Sequence, residues 1–184
     1  MIDDERLDDE RLDDEIKALK RRVMKIESIE SIHNVFSEYS LKMDLALWGD
    51  VSALFTSSAI LEIAGYENYG GVNYDGTIIG RDSIAKYYDE STPNALPKNK
   101  HNIIPKPITF DHSGKFLTAY LVAYLVGADN QIGGLYEAVL KRNTNEVWQF
   151  LKLRCVNTYK KSVAESILGL ETFCENLELR DIQS

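Results

Sequence analysis

Ile29-Glu-Ser-Ile-His-Asn-Val-Phe-Ser-Glu-Tyr39-Ser-Leu-Lys-Met-Asp44 is the stretch on which the reading of the fold turns. Its apolar residues Ile29, Ile32, Val35, Phe36, Tyr39 and Met43 recur at spacings of three and four. That period puts them on one side of an α-helix, with charged and polar residues opposite. Gly49-Asp50 follows as a break, and Asp50 is placed to cap a short helix over Val51 to Phe55.

Upstream, the helical pattern runs into an unusual arm. Asp3-Asp4-Glu5-Arg6-Leu7 is repeated as Asp8-Asp9-Glu10-Arg11-Leu12 and again as Asp13-Asp14-Glu15-Ile16. Residues 3–15 hold nine acids and two arginines, a net −7 out of −8 for the chain. Leu12, Ile16, Leu19, Val23 and Ile26 then form a heptad-like stripe about two heptads long. Two readings follow: an amphipathic helix packed on its own domain with a frayed acidic start, or a helix that pairs with another subunit. Acids at a helix N-terminus suit the macrodipole either way.

Downstream, the period changes to two. Ala59 to Ile63 reads as a strand. Tyr66 to Gly80 is a Gly-, Tyr- and Asn-rich loop or hairpin closing on Thr77-Ile78-Ile79. Arg81 to Asp89 is a short helix, and Ser91 to Lys100, with Pro93 and Pro97, a loop. His101 to Phe110 is a strand that Pro105 and Pro107 confine to an edge or a bulge. Phe116 to Val126, Gly134 to Lys141 and Val147 to Tyr159 follow as long strands, with turns at Asp111-His112-Ser113-Gly114 and Asn143-Thr144-Asn145. A last helix is expected over Val163 to Leu179.

Helices first, then mostly sequential antiparallel strands, then a helix make an α+β protein. A long helix lying across a curved sheet leaves a cone between them. The expected division is an acidic helical arm over 1–23, one domain over 24–160 and a C-terminal helix over 161–184.

Composition agrees with one soluble domain. The chain has 184 residues, of which 44% are hydrophobic and 27% charged. No apolar run reaches the roughly 18 residues of a membrane span. The acidic start is neither a secretory signal nor a transit peptide, so a cytoplasmic location is expected. Beyond the arm, 20 acids face 19 basic residues, which leaves no excess to hold a nucleic acid backbone. Cys155 and Cys174 form no metal motif and read as small buried residues rather than a disulfide. No His/Asp/Glu cluster has metal spacing, and Gly70-Gly71 lacks the Lys-Ser/Thr of a phosphate loop.

The segment from Ile29 to Asp44, followed by Trp48, resembles the first-helix segment of the SnoaL-like branch of the nuclear transport factor 2-like superfamily. Lys100-His101-Asn102, opening a strand after a Pro-containing loop, is similar to a second element of that family. Val147-Trp-Gln-Phe-Leu-Lys152 is similar to its last strand. The resemblance covers about residues 24–160 and implies a cone-shaped curved sheet wrapped around N-terminal helices. It is strongest to bile acid 7α-dehydratase, scytalone dehydratase and hexachlorocyclohexane dehydrochlorinase. It implies a catalytic set of Tyr39, Asp44 and His101. The dehydrochlorinase has a lysine in place of Tyr39, and the second histidine of scytalone dehydratase has no counterpart, since His112 sits in a turn. It also implies a homodimer or homotrimer.

Those three residue types can do the chemistry unaided. A His with an Asp partner is a general base, and the carboxylate fixes its tautomer. A Tyr hydroxyl can donate to an enolate oxygen or protonate a departing hydroxyl. Elimination of water, isomerisation or cyclisation of a hydrophobic polycyclic, steroid-like or polyketide-like molecule would need no metal and no cofactor. Trp48, Phe55, Tyr66, Tyr120, Tyr124 and Tyr136 are the candidate lining residues, with Tyr88 beside them, because aromatic side chains suit a flat apolar substrate. Two other functions stay open: a non-catalytic binding or assembly module, and the small subunit of a ring-hydroxylating oxygenase. One geometric constraint stands: five residues turn a helix through about 140° net, so Tyr39 and Asp44 do not share a face.

Overall fold

The computed structural model describes residues 2–65, 75–91, 101–127 and 132–160. Residues 66–74 of the expected Tyr66–Gly80 loop, residues 92–100 of the expected Ser91–Lys100 loop, the expected C-terminal helix, Tyr66 and Cys174 lie outside them.

Helix α1 runs from Ile2 to Asp44 without interruption. Its downstream half carries the predicted apolar face: Ile32, Val35, Phe36, Tyr39 and Met43 are all buried. Upstream the picture changes. From residue 11 to residue 27 every side chain is exposed, so the arm does not pack on its own domain as one reading expected.

The helix ends earlier than Gly49, and for a different reason. Ala46 adopts φ 55°. Its N–H donates to the Met43 carbonyl at 3.1 Å, and the Leu47 N–H donates to the Lys42 carbonyl at 2.9 Å. This pair of bonds is a Schellman closure. It leaves Asp44 as the last helical residue. Helix α2, Trp48–Ala53, starts directly after it, with Leu47 as its N-cap and Asp50 in its first turn rather than at the cap. An alanine in the left-handed region is strained by about 1–2 kcal/mol. Ala46→Gly is therefore expected to stabilise the fold by about 0.5–1 kcal/mol, the larger chain entropy of glycine offsetting part of the relief. A higher urea midpoint at unchanged slope would show it.

Among the described residues, seven strands form one mixed sheet: β1 Phe55–Ala64, β2 Gly76–Ile79, β3 His101–Pro105, β4 Thr109–Phe110, β5 Thr118–Gly127, β6 Ile132–Arg142 and β7 Trp148–Lys160. Helix α3, Arg81–Ser91, follows β2. The order is β2-β1-β7-β6-β5-β3, with β4 on β5 beside β3. All pairings are antiparallel except β1 with β7, which is parallel. The single expected strand from His101 to Phe110 is split by residues 106–108, at the prolines, and β3 ends the strand order as expected.

Register shifts occur within β1 on β7 and twice in β6 on β7. Bulges of this kind bend and twist a sheet. At one of them, a Cβ on Gly134 would lie 2.5 Å from the Val156 carbonyl oxygen, so only glycine fits that approach. The concave side holds one apolar cluster in which α1 meets β1, β6 and β7 through Phe36, Tyr39, Phe55, Tyr136 and Phe150. Phe150 stands edge-on to Phe36 at 5.1 Å and to Tyr39 at 5.8 Å.

Candidate active site

The end of α1 and the start of β3 meet at one carboxylate. Asp44 Oδ1 lies 2.7 Å from His101 Nδ1, and it accepts the His101 backbone N–H at 3.0 Å. Both side chains are largely buried, His101 at 10% and Asp44 at 15% exposure. The local folding explains the meeting. The Schellman closure ends α1 at Asp44, and the five-residue step has already turned its side chain about 140° away from Tyr39. The first residue of an edge strand has a backbone N–H to spare, and Asp44 takes it.

A carboxylate cannot donate, so Nδ1 carries the proton and Nε2 is the basic atom. Nε2 has no partner among the described residues. An open-sided cleft of about 570 Å³ lies between α1 and β3, lined by His33, Phe36, Ser37, Ser40, His101, Asn102, Ile103, Ile104 and Pro105. His33 is exposed there, as the helix pattern predicts, and His112 is exposed in its turn.

Tyr39 occupies different ground, as the 140° rotation requires. It is fully buried, and its hydroxyl bonds that of Tyr88 on α3 at 3.0 Å. Its ring stands perpendicular to Tyr136 at 5.9 Å and tilted against Phe55 at 6.5 Å. Cys155 completes this interior group: it pairs with Tyr136 in the β6–β7 register, and its thiol interacts with the hydroxyls of Tyr39 and Tyr136. Burial pushes the Cys155 thiol well above its ordinary range. Burial likewise raises the Tyr39 hydroxyl, with Tyr88, Tyr136 and Cys155 adding to the effect. Tyr39 therefore stays a proton donor throughout the neutral range.

The sign of the linkage follows. An unfolded tyrosine ionises near pH 10, and the folded Tyr39 resists. Its contribution to stability is complete below about pH 10 and is lost as pH rises beyond it. The phenolate absorbance of Tyr39, taken as wild type minus Tyr39→Phe, is expected to appear together with alkaline unfolding and not before it.

The lining candidates divide. Trp48 is half-buried and stacks on Tyr88, with centroids 6.1 Å apart and planes 18° apart. Phe55 and Tyr136 are buried in the interior cluster. Tyr120 and Tyr124 are a correction. The inward residues of β5 are Ala119, Leu121 and Ala123, so Tyr120, Val122 and Tyr124 stand on the outer face. There Lys106 Nζ sits 4.7 Å over the Tyr124 ring, and Tyr120 lines a shallow outer depression with Glu137, Lys152 and Arg154.

Two features escaped the sequence reading. The Tyr39–Tyr88 bond could have been suspected, because Ile84 and Tyr88 are four apart and share a face of α3. The contact of Cys155 with the two tyrosines carries no local signal. Among the described residues, no group of three His, Cys, Asp or Glu side chains is arranged to hold a metal ion.

Comparison with known proteins completes the description. A model of the SnoaL-like domain matches residues 24–154. No curated protein matches the chain. Among solved structures, an NTF2-like protein with a cystatin-like fold from Novosphingobium aromaticivorans is similar with a TM-score of 0.63 and 18% identity, over 82% of this chain and 94% of that one. A hexachlorocyclohexane dehydrochlorinase from Novosphingobium barchaimii is similar with a TM-score of 0.57 and 14% identity, over 78% and 94%. A ketosteroid isomerase-like protein from Erwinia carotovora atroseptica gives a TM-score of 0.51 at 14% identity, over 72% and 98%. At these identities the likeness speaks for the fold alone.

Proposed function

The chain belongs to the SnoaL-like family, and on that footing we propose that it is a cofactor-independent lyase or isomerase. The substrate class is a hydrophobic polycyclic, steroid-like or polyketide-like molecule carrying a carbonyl. The single observation that supports this most is the Asp44–His101 bond of 2.7 Å, made by a carboxylate that also holds the His101 backbone.

In this reading His101 Nε2 takes the proton on the carbon next to the substrate carbonyl. The C–H electron pair becomes the enolate, and Asp44 neutralises the imidazolium that forms. Tyr39 donates to the enolate oxygen or to the leaving hydroxyl. The enolate then collapses to a conjugated double bond as the C–O bond breaks. The departing hydroxide takes the proton held on His101 Nε2, directly or through the Tyr39 hydroxyl, and leaves as water, and both side chains return to their starting states. If the leaving group is absent, return of the proton at another carbon gives isomerisation with the same parts. A Tyr88 hydroxyl donating to Tyr39 makes the Tyr39 proton a better donor, since chained hydrogen bonds polarise one another. Substrate entering beside the stacked Trp48 and Tyr88 would take the Tyr39 proton while the Tyr39 oxygen goes on accepting from Tyr88. Phe55 and Tyr136 hold Tyr39 from below.

The test is turnover by the wild type on a panel of flat polycyclic β-hydroxyketones and β-haloketones, followed by the rise of conjugated-enone absorbance. Turnover of any member supports the reading. Binding of panel members without turnover of any would replace it with a binding module.

A further inference from the structure

We infer that the N-terminal half of α1 is a docking surface for a second copy of this chain, the two arms lying antiparallel. Leu12, Ile16, Leu19, Val23 and Ile26 are 54%, 41%, 58%, 44% and 63% exposed. They line one stripe of a helix that is exposed at every position from 11 to 27. At about 100° per residue, the stripe lies roughly 140–220° around the helix from Arg21. Arg21 reaches toward the turn at Gly114 of the chain's own domain, 2.9 Å from where a Cβ would stand. The stripe therefore faces away from the domain, and no described residue covers it.

Charge selects the occupant and its direction. Residues 3–15 carry −7, whereas residues 16–26 carry Lys17, Lys20, Arg21, Arg22 and Lys25 and no acid, a net +5. A parallel pair would set −7 beside −7 and +5 beside +5. An antiparallel pair sets each acidic block against a basic one. The register that joins the stripes puts Leu12 against Val23 of the partner subunit and Ile16 against Leu19 of the partner subunit. In heptad terms, Asp13 then flanks Lys20 of the partner subunit, and Glu15 flanks Arg22 of the partner subunit. Symmetry doubles each pair. The stripe is short, so these flanking charges contribute both direction and affinity, and the pairing weakens with salt.

The experiment uses the full chain in sedimentation equilibrium. Leu19→Lys, at an exposed position, is expected to halve the mass of the wild-type species with an unchanged circular dichroism spectrum. Direction is read on a Cys174→Ser background: Leu12→Cys mixed with Val23→Cys is expected to form a disulfide-linked dimer, and Leu12→Cys alone is not. An unchanged mass for Leu19→Lys overturns the proposal, whether the wild type is a 20.9 kDa monomer or a larger species. Self-crosslinking of Leu12→Cys overturns the antiparallel arrangement in favour of a parallel one.

Discussion

His101→Asn is expected to lower turnover by about 10²- to 10⁴-fold, the usual worth of a positioned general base, while the protein stays folded. The substitution separates two functions of one residue. The asparagine amide can still donate to Asp44 from near the place of Nδ1, and the backbone N–H of residue 101 keeps its own bond to the same oxygen. What disappears is Nε2, which no atom of asparagine replaces. Asp44→Asn should follow with a smaller loss. Its amide permits the wrong histidine tautomer and cannot neutralise the imidazolium. Equal turnover by wild type and His101→Asn would remove His101 from the chemistry.

Phe150→Ala is expected to destabilise the fold by about 3–5 kcal/mol, the usual cost of truncating a buried aromatic. Phe150 is wholly buried near the start of β7. Its ring meets Phe36 and Phe55 at 5.1 Å and Tyr39 at 5.8 Å, so it joins α1 to the two parallel strands. These neighbours belong to two separate elements, α1 and β1, each fixed by its own hydrogen bonds, and cannot both close on the cavity. For a chain of this size the melting temperature should fall on the order of 10 °C. Val122→Thr, an isosteric change on the outer face of β5, should stay within about 0.5 kcal/mol. Comparable shifts for the two variants would mean that the concave side is not the core.

The comparison of these two sites shows what the sequence carries. The core face of α1 was legible because Ile32, Phe36, Tyr39 and Met43 repeat at the helical period and no other period fits them. The α+β order was legible for the same reason, as the period changes from helical to alternating after Gly49. The faces of β5 were not. Tyr120, Val122 and Tyr124 alternate with Ala119, Leu121 and Ala123, and both sets are apolar. Alternation divides them but does not say which faces the core. Aromatic size suggests that Tyr120 and Tyr124 face inward, whereas Ala119, Leu121 and Ala123 are the buried set. The end of α1 was also misplaced, because an alanine in the left-handed region has no signature. Asp44 and His101 are 57 positions apart in the chain, and only the family likeness pointed to them as a pair. Their meeting follows from tertiary packing of the end of α1 on the start of β3, and the rotation of about 140° between positions 39 and 44 is what separates Asp44 from Tyr39.

Loss of an α-deuteron tests the central claim most directly. A polycyclic β-hydroxyketone labelled with deuterium on the carbon between carbonyl and carbinol is incubated in ordinary water with wild type and with His101→Asn. Wild type is predicted to release the deuteron at the catalytic rate, with a primary isotope effect, and His101→Asn to release it no faster than buffer. Equal release by both proteins would contradict the account.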